Sequence, residues 1–216
     1  MTRFFGENLT CFRGERIVFT GLSFAVEAGG ALVLRGPNGS GKSSLLRMMA
    51  GLLRPYSGSV QWPDGPIDEE PDLHHARLHY VGHADAVKPV LTVSENVAFW
   101  AALRTPQPTV AAALSTFGIS GLADMPGRFL SAGQKRRVNL ARILAAPATL
   151  WLLDEPATAL DAGAIASLQA AIAQHRAGGG MIIASTHQDL GLADAEFLEL
   201  GEFQTIDDMA MEGHDE

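Results

Sequence analysis

The chain has 216 residues, 47% of them hydrophobic, which suffices for one domain with a substantial core and a modest insertion. Its formal net charge of −8 argues against a general nucleic-acid binder, which needs a basic face to displace counterions, so no nucleic-acid partner is expected. The single cysteine, Cys11, excludes an intrachain disulfide and is compatible with a reducing compartment.

The opening residues, MTRFFGENLTCF, contain no long apolar core, so no signal peptide is expected. Residues 16–28 alternate loosely between apolar and polar, as a half-buried strand does. AGG (28–30) turns the chain into ALVLR (31–35), a buried strand. KSSLLRMMAGLL (42–53) has apolar residues at helical spacing, and RPYSG (54–58) stops it. SVQW (59–62) and RLHYVG (77–82) read as strands, separated by a Pro/Asp/Glu-rich loop at 63–72. From 92 to about 146 the chain is Ala/Leu-rich and helical. TVSE (92–95) forms a capping box there, and PQPTV (106–110) ends one helix and starts the next. Strands return at TLWLLD (149–154) and GMIIAS (180–185), with an Ala-rich helix between them. From Gly201 the residues are acidic and weakly patterned, expected as a short strand end and a frayed tail. Strands alternating with helices imply an α/β fold with a mainly parallel sheet covered on both faces, into which an all-helical segment is inserted. Apolar runs such as TLWLL and MIIA are far shorter than the roughly 20 residues of a membrane span, so any membrane role is expected to come through a partner.

GPNGSGKS (36–43) satisfies the phosphate-loop pattern G-x-x-x-x-G-K-[ST], after a strand and before a helix. Gly36, Pro37, Asn38, Gly39, Ser40 and Gly41 would turn backbone N–H groups inward as an anion nest, with Ser44 in the first helical turn. Lys42 would reach the β- and γ-phosphates of ATP, and Ser43 would hold Mg²⁺. TLWLLDE (149–155) is an apolar strand ending in two acids. Asp154 suits the Mg²⁺, and Glu155 is placed to polarise an attacking water. His187, in ASTHQDL (184–190), follows the GMIIAS strand at the carboxyl edge of the sheet, where ligands bind. Residues 129–142, FLSAGQKRRVNLAR, open a basic helix with a small polar turn in which Ser131 and Gln134 can form a capping box. A solvated helix face accounts best for Lys135, Arg136 and Arg137.

Taken together, these motifs resemble the ATP-binding subunits of ABC transporters over about residues 8–200. GPNGSGKS corresponds to that family's Walker A loop, TLWLLDE to Walker B with the catalytic glutamate, and LSAGQ (Ser131, Ala132, Gly133, Gln134) to its signature. ATALD (157–161) matches the D-loop, ending in Asp161, and His187 matches the switch histidine. The resemblance implies an ABC ATPase core at about 1–91 and 147–205 with an N-terminal antiparallel β part. It also implies a helical subdomain at about 92–146 and an acidic tail at 206–216. Two copies would pack head to tail, with Ser131 and the Gly133 backbone of one closing on the ATP of the other. Ala132 replaces a glycine of the usual signature.

Two departures narrow the resemblance. The family glutamine that touches Mg²⁺ and relays to the membrane subunit is replaced by His83, in YVGHADAV, unless the relay has shifted by a residue or two. Imidazole there could hydrogen-bond water or, when neutral, coordinate a metal. The adenine-stacking aromatic has only Phe12 as its candidate, and Phe12 serves equally well as a core residue. YVGHADAVKPVLTVSENVAFW (80–100) and the LSAGQ signature are similar to the ATP-binding subunits of cytochrome c maturation systems. That similarity implies a homodimer bound to integral-membrane permease subunits at the cytoplasmic face of the inner membrane. Its ATP hydrolysis would power haem export or release of a haem-loaded chaperone. An ABC ATPase for another membrane substrate, or a soluble one, is the alternative. His74, His75, His79 and His83 are explained as a surface loop and the glutamine replacement, without a haem-ligand role.

Overall fold

The computed structural model describes residues 2–204; the acidic tail expected at 206–216 lies outside the described residues. In chain order the elements are β1 (Arg3–Arg13), β2 (Arg16–Glu27), β3 (Ala31–Arg35), α1 (Lys42–Met49), β4 (Ser57–Trp62), β5 (Gly65–Pro66), α2 (Pro71–Arg77) and β6 (Leu78–Val81). There follow α3 (Val93–Ala102), α4 (Val110–Thr116), α5 (Ala132–Ala145), β7 (Leu150–Asp154), α6 (Ala162–Ala177), β8 (Met181–Ser185) and β9 (Glu196–Glu199). They build two sheets. One is antiparallel in the order β2-β1-β4-β5, and the other is parallel in the order β6-β7-β8-β3-β9.

The central strands are apolar without alternation because both faces are covered. In β7, Leu150 and Leu152 pack into one core, with Leu45, Met49, Phe4 and Trp62 from α1 and the antiparallel sheet. Trp151 and Leu153 point the other way, into a core shared with Val97 of α3, Leu114 of α4, Leu140 of α5 and Leu168 of α6. The helices that follow β6 are therefore packed through one continuous apolar cluster against the sheet. Among the described residues no helix is long and apolar enough to cross a membrane.

The strand β1 pairs antiparallel with the one read at 16–28, as the expected N-terminal antiparallel β part requires. Three expectations need correction. The loop at 63–72 holds the short β5 and runs into a helix, α2, whose first residue is Pro71, a position where the missing N–H costs nothing. The C-terminal strand lies upstream of Gly201, as β9, and a 3₁₀ turn over Leu200–Phe203 follows it. His74 and His79 are buried, not part of a surface loop. Trp62 donates its indole N–H to Nδ1 of His74, and Nε2 of His79 meets the Ala146 carbonyl at 2.9 Å.

Candidate active site

Parallel strands deliver their carboxyl ends to one edge, and every strand of this sheet that matters for phosphate chemistry ends there. β3 runs into the loop at 36–41, β7 ends at Asp154, β8 ends at Ser185, and β6 leads through Gly82 to His83. Asp154 and Ser185 are register partners, as are Leu34 and Ser185. A cavity of about 760 Å³ opens on this edge, with Asn38, Gly39, Gly41, Lys42, Ser43 and Ser44 on the loop side. His83, Asp154, Glu155 and Ser185 line it as well. The sequence-predicted loop, carboxylates and His83 are thus brought together.

The loop is built for its conformation. Gly41 is left-handed (φ 101°), and a Cβ there would come within 2.8 Å of the Phe19 ring and 2.9 Å of Val18. Only glycine lets β2 press so close to the start of α1. The Lys42 ammonium donates to the carbonyls of Gly36 (2.7 Å) and Pro37 (3.0 Å), so its charge folds back over the loop.

The carboxylates differ in environment. Asp154 is 2% exposed, and its Oδ2 is buried without a hydrogen-bond partner. An unsatisfied buried carboxylate oxygen is costly, and a cation at the cavity would satisfy it. With the Ser43 hydroxyl in the same cavity, the donors are oxygens, which suits Mg²⁺; the residues fit the ion. Glu155 begins the turn after β7 in a left-handed conformation (φ 48°), a strained arrangement for a side-chain-bearing residue. Its N–H donates to the Ser185 carbonyl at 2.8 Å, which ties the turn to β8. His187 lies beyond β8 with two-thirds of its side chain exposed. Its Nε2 stands 3.6 Å from Glu155 Oε1, and it shares a second cavity, of about 620 Å³, with Gly36 and Lys42.

Arg136 corrects the reading of a solvated basic face. It is 3% exposed, and its guanidinium donates to the carbonyls of Asp154 (2.8 Å), Glu155 (2.5 Å), Pro156 (3.0 Å) and Gly82 (2.9 Å). An ion pair with Asp85 at 3.2 Å completes its shell. One side chain of α5 therefore pins the carboxylate turn and the exit of β6. The sequence held a signal for it, since Arg136 precedes Leu140 and Ile143 by four and seven residues and so stands on the buried face. Arg137 is half-buried and pairs with Asp161, whose carboxylate also caps α6 by accepting from Ala164 N–H.

The signature residues stand elsewhere. Ser131 caps α5, accepting from Gln134 N–H at 3.3 Å while Gln134 Oε1 accepts from Ser131 N–H at 2.9 Å. Ala132 is exposed, so its methyl meets no obstruction. Gly133 sits under the D-loop turn: a Cβ would meet the Ala159 carbonyl oxygen at 2.7 Å. None of residues 131–134 lines the phosphate cavity of its own chain. Nor does Phe12, which is 48% exposed and packs against Tyr56 with ring centroids 5.7 Å apart. The hairpin between β1 and β2 instead turns Arg13, Gly14, Arg16 and Val18 to the cavity, residues that the sequence reading did not single out.

A family model described as ABC transporter matches residues 19–158. The cytochrome c biogenesis ATP-binding export protein CcmA of Paramagnetospirillum magneticum is 56% identical over 95% of this chain and 97% of its own length. The protein of the same name from Rhodospirillum rubrum is 58% identical over 93% of this chain and 86% of its own length. Among solved structures, the ATP-binding subunit of an ABC transporter superposes with a TM-score of 0.83 at 22% identity, covering 91% of this chain and 85% of that one. A putative ABC transporter ATP-binding protein from Pyrococcus furiosus gives 0.80 at 23% identity, covering 94% and 100%. The phosphate loop, the paired carboxylates at the sheet edge and these likenesses agree: the chain belongs to the ATP-hydrolysing subunits of the ABC transporter family, among the CcmA-type cytochrome c biogenesis proteins.

Proposed function

We propose that the chain works as a homodimer bound to integral-membrane permease subunits at the cytoplasmic face of the inner membrane. There its ATP hydrolysis would power cytochrome c maturation, by haem export or by release of a haem-loaded chaperone. The observation that carries this reading is the near-full-length likeness to proteins named for cytochrome c biogenesis export.

In the mechanism we infer, the backbone amides of residues 36–43 and the start of α1 hold the phosphates. The Lys42 ammonium leaves the Gly36 and Pro37 carbonyls to neutralise charge on the transferring group. Ser43 and Asp154 would hold Mg²⁺, which would supply positive charge to offset that on the phosphates. Glu155 polarises the water that attacks the γ-phosphorus as ADP leaves, and Arg136 fixes the backbone from which Glu155 projects. His187, beside both Glu155 and the Lys42 end of the loop, steadies the γ-phosphate. Ser131 and the Gly133 backbone of the second copy close the site, a reading supported by their absence from their own chain's cavity.

A separate groove of about 750 Å³ supports a permease contact. It is lined by Leu52, Tyr80, Trp100 and Leu103 together with Arg47 and Arg104, between the sheet edge at His83 and α3. Leu52 and Leu103 are exposed there, and His83 lines both this groove and the phosphate cavity, so it stands where a relay between them belongs. The test is affinity purification of the Glu155→Gln chain from solubilised membranes, with co-purifying proteins identified by mass spectrometry and haem read by absorbance. Recovery of cytochrome c maturation membrane proteins is the expected result. Recovery of an unrelated permease would discard the haem assignment, and recovery of no membrane protein would favour a soluble role.

A further inference from the structure

The phosphate cavity has three walls: the loop with the start of α1, the sheet edge bearing Asp154 and Glu155, and the tip of the β1–β2 hairpin. The first two take the triphosphate and its metal. The base is left the third wall, which is held firmly against the loop, because Val18 and Phe19 pack on Gly41. Among the described residues no Phe, Tyr or Trp lines the cavity. What the hairpin offers is Arg13, Arg16 and the apolar Val18.

Arg13 and Arg16 are register partners across the last pair of the hairpin, joined by a two-residue turn in which Gly14 and Glu15 are both left-handed (φ 57° and 62°). Such a turn fixes where the two side chains leave the backbone. Both are exposed, and neither joins a salt bridge among the described residues. A guanidinium is planar, weakly hydrated and stacks on π faces, so it can serve in place of an aromatic ring.

We propose that Arg13 stacks its guanidinium plane on the nucleobase of bound ATP, with Val18 in apolar contact and Arg16 alongside. This rests on the assignment of the cavity as the nucleotide site. The base is then gripped by a cation rather than by Phe12, which faces Tyr56 instead.

The experiment is equilibrium binding of ATP and of inorganic tripolyphosphate to the full chain, both with Mg²⁺, for wild type, Arg13→Ala, Arg13→Lys and Arg13→Tyr. Arg13→Ala should weaken ATP roughly five- to tenfold, the scale of a stacked cation, and leave tripolyphosphate within about twofold. Arg13→Tyr should recover ATP affinity, because it restores a flat face. Arg13→Lys should not, because it keeps only the charge. Unchanged ATP binding in Arg13→Ala would overturn the proposal. So would an equal loss of tripolyphosphate, which would place the guanidinium on phosphate, or full recovery by Arg13→Lys. Lys42→Ala serves as the control on the site itself: it should weaken both ligands, and if it weakens neither, the nucleotide site lies elsewhere and the proposal falls with it.

Discussion

Asp154 and Glu155 are neighbours in sequence, yet the fold gives them different surroundings. Asp154 is the last buried residue of β7, while Glu155 sits in a left-handed turn with its carboxylate partly open to the cavity. Glu155→Gln keeps the shape and removes the charge, so hydrolysis should be abolished while ATP binding persists; a single-turnover assay beside nucleotide binding separates the two. Lys42→Ala should act in the opposite order, weakening ATP binding first. The Arg136 donors are all taken by four backbone carbonyls and Asp85, so its role is positioning. Arg136→Ala should lower kcat at least tenfold with little change in KM. It should also destabilise the chain by about 3 kcal/mol, the scale for breaking a buried charged network. Steady-state kinetics with urea denaturation reads both, and a variant with normal kcat would reduce Arg136 to a purely structural tie.

Two helices begin with the same device. Thr92 caps α3 with Glu95 reciprocating, and Ser131 caps α5 with Gln134 reciprocating. Each alanine substitution should cost about 1 kcal/mol of stability. Only Ser131→Ala should also abolish hydrolysis, because in the proposed dimer Ser131 closes on the partner's ATP; equal stability losses with unequal ATPase rates is the expected pattern. Both boxes were legible in the sequence because capping is local chemistry at fixed spacing. The buried strands β3, β7 and β8 were legible for a similar reason, as short apolar runs flanked by glycine or charge. β9 escaped notice because an edge strand with mostly exposed residues carries no apolar pattern. α2 was hidden because its seven residues begin inside an acidic, proline-rich run. The base site was illegible for a subtler reason. The β1–β2 register shifts at Leu9, Cys11 and Phe12, and each shift decides anew which neighbour faces the cavity, so Arg13 rather than Phe12 does.

At the scale of the whole molecule, the buried His74 and His79 make stability depend on pH. Desolvation pulls the His74 pKa down to about 4 and that of His79 to about 3. In the unfolded chain both bind protons near pH 6.5, while the folded chain keeps them neutral, so stability is complete above pH 6.5 and falls as pH drops toward 4. Between pH 7 and 5 each histidine should remove about 2 kcal/mol. Urea denaturation across that range should show the loss, and His79→Gln should flatten the slope. The same scale holds the claim on which the mechanism turns, that each catalytic site is shared between two copies. The direct test is ATP hydrolysis by a mixed dimer of Lys42→Ala and Ser131→Ala chains. A shared site predicts that each variant alone is inactive while the mixed dimer recovers hydrolysis, because one of its two sites joins an intact loop to an intact Ser131. A mixed dimer as inactive as either parent, or a Ser131→Ala chain hydrolysing ATP at the wild-type rate, would contradict the account.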